Sequence, residues 1–552
     1  MSADAAISTS TRTNEGPRAV SVVRDSLTGS AWTFVSRATG LGQSIAVATI
    51  LGATYLGNTY QAINSLPNII YYQLLAGSLF ASILIPPIVS RIDRGDRAGA
   101  NALARGFFGT LLAAAAGLCL LLILFGPALL HLLTLGVADP TTAAEQRRVG
   151  FVFLVIFVPQ IALYVTAGTG GAVMNAHGRF ALAAGAPALE NLGMISILVL
   201  DAILFGTGTA LADVTTPQIL LLGIGTTAAV GVHAAAQWRG ARSCDVRLVP
   251  RWGWRDPEVR RVLRRVVPTL GYTGLAAMQT VAVLFIANRL AGGLVTFQLS
   301  LNFYFLPIAI VTWPIARSML PHLARLRSVE DGPLFWDELC RAARLASFVT
   351  VPMALVYVVL AAPIARAIAI GQLEADGGAP LVAMSLGALG LGVIGETWFI
   401  LGTYAFYARE NVRAPLISML VRDGVAFTLF AIALIAPRPL VPLVLGLGIS
   451  AGSLIGSVHL WAKLRAALGG ALPIRALART AAGSLLMAVP AFLTAAALSR
   501  WIGERELGQI AVVAVATIVG AGVYLLAQVA LKAPELSLLR LGTRSLVRGD
   551  DR

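Results

Sequence analysis

Fourteen long apolar stretches constrain this chain more than any other feature. They run over approximately 30–52, 61–90, 106–133, 149–175, 180–205, 216–238, 266–289, 294–321, 343–365, 381–407, 414–435, 439–462, 479–499 and 509–531. Each is long enough for the roughly 20 residues that cross about 30 Å of hydrocarbon. In a bilayer only a helix satisfies its own backbone over such a run, so the pattern predicts an all-α integral membrane protein of 14 transmembrane helices. Hydrophobic residues at 57% and charged residues at 12% exclude an ordinary soluble globule.

The net charge of +15 reads as membrane topology rather than as a nucleic-acid footprint. With the N-terminus taken as cytoplasmic, 33 of the 42 Lys and Arg fall in the tails and even-numbered turns. The odd-numbered turns hold 7, namely Arg147, Arg148, Arg289, Arg366, Arg438, Arg500 and Arg505. Arg37 and Arg422 fall inside spans. The positive-inside rule then puts both termini in the cytoplasm, with residues 1–29 and 532–552 as cytoplasmic tails.

The connection 239–265 carries nine arginines interrupted by Trp252 and Trp254. Such a segment is expected to lie on anionic headgroups, with the tryptophans at the interface. It also divides the chain into spans 1–6 (30–238) and spans 7–12 (266–462), with spans 13 and 14 in 463–531. The two halves look duplicated. Pro87-Ile88-Val89-Ser90-Arg91 closes span 2, and Pro321-His322-Leu323-Ala324-Arg325 closes span 8, 234 residues on. The turn Asn175-Ala176-His177-Gly178-Arg179 has its counterpart in Tyr407-Ala408-Arg409-Glu410-Asn411, about 232 residues on. Six spans are an even number, so the repeats would be parallel, as in transporters that rock two lobes around a central site. Past Arg479 at the edge, spans 13 and 14 contain no charged residue and read as an accessory pair.

No catalytic signature is present. There is no GxxxxGK[ST] loop, and the five histidines lack HExxH spacing. Cys119, Cys244 and Cys340 form neither a disulfide framework nor a metal motif. The expectation is a transporter without metal or cofactor, driven by the membrane potential or by an H+ or Na+ gradient.

Ionisable residues inside spans are the functional candidates in a membrane protein. Arg37 lies early in span 1, where it either faces a polar path or snorkels to the near surface. Glu190 lies mid-span 5 beside Asn191, and Glu396 in span 10; both are candidate coupling or cavity acids that need a partner or a proton. Arg422 and Asp423 in span 11 point about 100° apart on a helix, so they are expected to have separate partners or to compensate each other locally. Spans 1 and 2 are unusually polar, with Ser36, Gln43, Ser44, Asn58, Gln61, Asn64, Asn68, Tyr71, Tyr72 and Gln73 expected to face a wet cavity. Pro67 and Pro307 interrupt spans 2 and 8 and are candidate hinges.

An ordered set of short motifs gives these features a family. Ser36-Arg37 with Gly40, Leu66-Pro67-Asn68, Pro159-Gln160 and Asn175-Ala176-His177-Gly178-Arg179-Phe180 with Pro187 and Asn191 come first. Leu320-Pro321 and Phe406-Tyr407-Ala408-Arg409 with Pro415 follow. Together they resemble the MurJ/MviN family of lipid-linked murein precursor flippases, in the multidrug/oligosaccharidyl-lipid/polysaccharide exporter superfamily. The resemblance covers nearly the whole chain. It implies two six-helix lobes in a V around a cationic cavity, plus two helices that provide a groove for a lipid tail. It also implies a multi-pass protein of the bacterial plasma membrane that moves a polyprenyl-pyrophosphate-linked saccharide outward, with cell-wall synthesis proteins as further partners and a monomer as the working unit.

The chain departs from the family pattern at the charges. Gln43-Ser44 stand where the family carries an arginine and an acid, Tyr71 where an arginine follows LPN, and Leu301-Asn302 where Asp-Arg precede the span 8 proline. Arg37 is what remains of that set. On this reading Arg37 contacts phosphate, while Gln43, Ser44, Asn64, Asn68, Tyr71, Tyr72 and Asn302 line the headgroup site with neutral donors. Another polyprenyl-linked glycan is therefore a rival to lipid II, and a drug or cation antiporter is the second transporter reading.

Overall fold

The computed structural model describes residues 16–73, 80, 84–264, 266–326, 328, 331–502 and 506–536. The distal parts of the two expected tails, 1–15 and 537–552, lie outside the described residues. The first half comprises α1 (Gly16–Leu51), α2 (Tyr55–Asn68), α3 (Ile85–Asp93), α4 (Arg97–Leu124), α5 (Gly126–Thr134), α6 (Pro140–Phe157), α7 (Gln160–Ala176), α8 (Phe180–Phe205) and α9 (Thr216–Arg242). A connecting helix, α10 (Pro257–Arg264), leads into α11 (Val266–Ala287), α12 (Gly293–Pro307), α13 (Trp313–Arg325), α14 (Gly332–Val359), α15 (Ala361–Ile368) and α16 (Gln372–Ala375). Then come α17 (Ala379–Gly390), α18 (Gly392–Ala408), α19 (Arg413–Ile435), α20 (Val441–Leu468), α21 (Ile474–Ile502) and α22 (Glu506–Ala530).

Among the described residues there is no strand, and ten helical stretches are long and apolar enough to cross a membrane. The count is eleven when α17 and α18, bent by 42°, are taken as one span. The chain is thus a multi-pass helical membrane protein. Of the other expected stretches, 30–52 falls in α1, 61–90 is divided between α2 and α3, and 266–289 falls in α11. Helix α1 starts at Gly16, so the expected tail 1–29 is helical in its second half.

Caps set several helix starts. Thr54 Oγ1 accepts from Gly57 N at 3.0 Å, and Asp139 accepts from Thr142 N at 2.8 Å, so each satisfies an otherwise orphaned N–H. Both candidate hinge prolines precede a widening of the helix. Ile69–Gln73 follow Pro67 as a π-helical run, and Ile308–Thr312 follow Pro307 in the same way. Proline removes a ladder bond, and the extra residue per turn reroutes the freed carbonyls.

Packing repeats between the halves. In the first, α1 lies on α8, α8 on α9, α7 on α9, α2 on α6 and α4 on α7. In the second, α11 lies on α19, α19 on α20, α18 on α20, α12 on α17 and α14 on α18, in the same order. Glycines allow the closest approaches: a Cβ at Gly170 would stand 2.7 Å from Gln237 O, and one at Gly395 would stand 2.5 Å from Leu454 N. Helices α21 and α22 pack on each other and against α14 and α15.

The halves join at the arginine-poor end. Buried Asn58 on α2 donates to Leu290 O at 2.8 Å and accepts from Leu294 N at 3.1 Å, so it caps the start of α12. Gln146 on α6 and Asn288 exchange two amide hydrogen bonds at 3.1 and 3.2 Å. Asn288 also donates to Leu133 O at 2.9 Å, and Arg289 donates to Ala433 O. The sequence assigns Asn58 to a wet cavity; the backbone of the other half satisfies it instead.

At the opposite end the arginine-rich connection docks on α4. Arg251 N donates to Arg105 O at 3.3 Å and Gly253 N to Thr110 Oγ1 at 3.3 Å. Trp252 and Trp254 remain exposed.

Candidate inter-half site and two buried polar clusters

Away from the arginine-poor end, further side-chain contacts among the described residues cross between the halves, from α1 and the run after α2 to α11, α12 and α13. The exposed Arg37 guanidinium lies 5.4 Å from the centre of the Trp313 ring. Asn302 donates to Ser44 Oγ at 2.9 Å, and Gln73 donates to Thr280 Oγ1 at 2.8 Å. Gln43 is half-buried on α1, and Tyr72 is 48% exposed, so its ring is open to an occupant of this space. The structure therefore brings Ser44 to Asn302 and Arg37 to Trp313 across the line between the halves, with Tyr72 exposed in the same region, whereas Gln43 is placed only as a half-buried residue of α1.

Asn64, Asn68 and Tyr71 are placed differently: they turn into the interior of the first half. Tyr71 is buried and stacks on Tyr164 with ring centres 4.6 Å apart. Asn68 donates to Asn64 O at 2.8 Å, and its Oδ1 lies 2.8 Å from the Tyr164 hydroxyl. The π-helical run from Ile69 rotates successive side chains, so neighbours Tyr71 and Tyr72 differ from buried to exposed.

Tyr164 leads to the first buried cluster. Its hydroxyl is 2.7 Å from Glu190 Oε1, and Glu190 Oε2 is 2.7 Å from His233 Nδ1. Glu190 and His233 are 4% and 0% exposed, so the carboxylate on α8 is enclosed, and its partners among the described residues come from α7 and α9. His233 Nε2 is buried with no hydrogen-bond partner among the described residues.

The second half holds the counterpart. Glu396 on α18 accepts from Arg422 Nη1 at 3.2 Å and from Ser453 Oγ at 3.1 Å, and Tyr304 Oη lies 3.5 Å away. Arg422 Nε also stands 3.8 Å from Asp423 Oδ1. Glu396 stands 232 residues after Tyr164, and Arg422 stands 232 residues after Glu190. The same two positions thus hold a Tyr–Glu pair in one half and a Glu–Arg pair in the other. The helical spacing of Arg422 and Asp423 predicts either separate partners or local compensation; in the fold Arg422 pairs with Glu396 on another helix and also stands within ion-pair distance of Asp423, so both occur.

Two residues escape a reading of the sequence. His233 is visible there only as an imidazole amid an apolar span, since its partner lies on another helix. Arg317 falls near the end of span 8, where it counts as a topology charge; in the fold it sits within α13, one turn beyond Trp313. An apolar cavity of about 820 Å³ lies elsewhere, between α14, α18, α20 and α21, with Trp398, Trp461 and Arg465 on its wall.

A multi-pass helical bundle whose halves repeat one packing order and meet along a polar seam defines a transporter, not an enzyme. The chain belongs to the MurJ family: the family model described as Lipid II flippase MurJ matches residues 47–519. A probable lipid II flippase MurJ of Rhizobium meliloti is 26% identical over 427 residues, covering 74% of this chain and 76% of that protein. The Burkholderia cenocepacia lipid II flippase MurJ is 23% identical over 461 residues, covering 81% and 84%. Among solved structures, the lipid II flippase MurJ in an inward closed conformation superposes with a TM-score of 0.73 at 17% identity, over 94% of this chain and 99% of that one. An inward-facing multidrug resistance MATE family transporter reaches 0.54 at 13% identity, over 79% and 95%. At these identities the structural likenesses show the fold.

Proposed function

We propose that this protein moves lipid II from the cytoplasmic to the outer leaflet of a bacterial plasma membrane by alternating access. Fourteen spans form two six-helix lobes, 30–238 and 266–462, with an accessory pair in 463–531 and both termini cytoplasmic. The recurrence of one helix-packing order and the 232-residue spacing of the two buried clusters support the lobes. The arginine-rich connection, with exposed Trp252 and Trp254, suits anionic headgroups on the cytoplasmic side. The cavity near Trp398 and Trp461 is apolar enough for part of a polyprenyl tail.

The family match over 47–519 is the observation that carries this reading. In it the headgroup crosses between the lobes while the tail stays in lipid, and Arg37 meets the phosphates with Gln43, Ser44, Tyr72 and Asn302 as neutral donors. Asn64, Asn68 and Tyr71 support the wall behind them. Glu190 with His233 is the group we assign to proton coupling, since the pair offers adjacent acceptor and donor sites within one lobe. Another polyprenyl-linked glycan is the second reading, favoured by the neutral residues at 43, 71 and 302.

The test is headgroup accessibility of defined lipid-linked saccharides across vesicles that contain the purified protein, under an imposed proton gradient, sodium gradient or potential. Lipid II should be translocated, a proton gradient should accelerate it, and Arg37→Ala should slow it about tenfold or more, as expected for loss of a charge-assisted contact. Movement of a different glycan with lipid II ignored would transfer the function to the second reading. Drug-dependent proton flux without glycan movement would transfer it to an antiporter.

A further inference from the structure

Arg37 on α1 meets Trp313 at the start of α13, one helical turn before Arg317 on the same helix. The Arg37 guanidinium is 5.4 Å from the Trp313 ring centre. Trp313 and Arg317 are four residues apart on α13, one above the other on one helix face. Arg37 and Arg317 are both exposed. The charge of Arg317 reaches Arg37, as does the Tyr72 hydroxyl.

Neither guanidinium has a counter-ion: among the described residues no carboxylate stands within ion-pair distance of Arg37 or Arg317. Arg422 differs, because that buried cation is neutralised by Glu396. Two like charges left uncompensated within a membrane-embedded seam are costly, and the cost falls when an anion joins them. Trp313 compensates only one of them, and weakly, through its ring face.

We propose that Arg317 is a second phosphate ligand, and that Arg37 and Arg317 together select a diphosphate-linked over a monophosphate-linked lipid saccharide. This rests on the flippase reading above. A diphosphate diester carries two negative charges on adjacent phosphates, one for each guanidinium, and each planar fork can take two oxygens of its phosphate. A monophosphate diester carries one charge and leaves one arginine unmatched. Trp313 holds the Arg37 side chain while the site is empty, which lowers the entropy lost on binding. Arg317 thereby restores, from the opposite half, part of the positive charge missing at positions 43, 71 and 302.

The experiment measures binding to the purified full chain of two probes with the same polyprenyl chain and sugar, one diphosphate-linked and one monophosphate-linked. The native protein should prefer the diphosphate. Arg317→Gln should weaken diphosphate binding about 10- to 100-fold, the range for one charge-assisted contact, and change monophosphate binding less than about threefold. Arg317→Lys should recover part of the loss, and Arg325→Gln, at the end of α13, should change neither probe. Equal binding of the diphosphate by native protein and by a folded Arg317→Gln variant overturns the proposal while leaving the flippase reading intact. Binding of neither probe by the native protein overturns both. Should Arg317→Gln fail to fold, competition decides: inorganic diphosphate must displace the bound probe from native protein at least about tenfold better than inorganic phosphate, and equal potency overturns the assignment.

Discussion

Arg422 shows how one side chain is tied to its neighbours by charge. It is 9% exposed and, among the described residues, is the cation within reach of both Glu396 and Asp423. Removing it leaves two carboxylates buried without compensation, and breaking a buried pair this way costs about 3–5 kcal/mol. Removing the Glu396 charge leaves Arg422 with Asp423 and costs about 1–3 kcal/mol, the range for one lost hydrogen-bonded contact. Thermal unfolding in detergent should therefore rank Arg422→Met well below Glu396→Gln, with the native protein above both. The reverse order would show that Arg422 is not their shared counter-ion. At this scale the sequence reveals which residues are costly but not whom they meet. Glu190 and Glu396 stand out as acids in apolar runs, whereas the pairing of Glu190 with His233 depends on the facing of α8 and α9. Arg317 is hidden for a different reason: charge counting treats a cation near a span's end as a topology signal, and only the fold shows that it follows by one turn the Trp313 ring that Arg37 meets.

Helices in this protein approach each other where glycine removes the side chain. Gly395 on α18 lies against the backbone of Ser453 and Leu454, which cannot retreat without moving α20. Gly395→Ala should destabilise the protein by about 1–3 kcal/mol through overpacking. Gly424 on α19 has open space for 4 Å around the point where a methyl group would stand. Gly424→Ala should therefore leave stability unchanged or raise it by about 0.5–1 kcal/mol, the helix-interior preference for alanine. Parallel melting curves check both. A harmless Gly395→Ala would mean that α18 and α20 are not held at this distance. Hydropathy makes most of these elements legible, because a bilayer forces apolar length and helical backbone together. It does not show the 42° bend between α17 and α18, since the residues on either side of the break at Leu391 are apolar. The prolines at 67 and 307 mark breaks, but composition carries no register and so does not show the π-helical runs that follow them.

Alternating access requires a molecule with two arrangements of similar energy, and the contacts between halves show what holds this one closed at its arginine-poor end. Asn58 caps α12 from the other half, while Gln146 and Asn288 form a reciprocal amide pair. These groups are buried, so opening exchanges their mutual hydrogen bonds for bonds to water, a difference of only about 1 kcal/mol per contact. A latch made this way is strong enough to set a resting state and weak enough to release. Removing both Asn58 and Asn288 as alanines should thus cost the closed arrangement about 2 kcal/mol, a shift of roughly thirtyfold in the closed-to-open ratio. Ala53 reports on it: the residue is buried, and its Cα and Cβ lie close to Gly292. With Cys119, Cys244 and Cys340 replaced by serine, a cysteine at position 53 should react slowly with an impermeant maleimide added outside vesicles. In the Asn58→Ala/Asn288→Ala background it should react at least several-fold faster, while each single variant lies between. Unchanged reactivity in a folded double variant would mean that these amides do not hold the seam, and that closure rests on the apolar contacts around them.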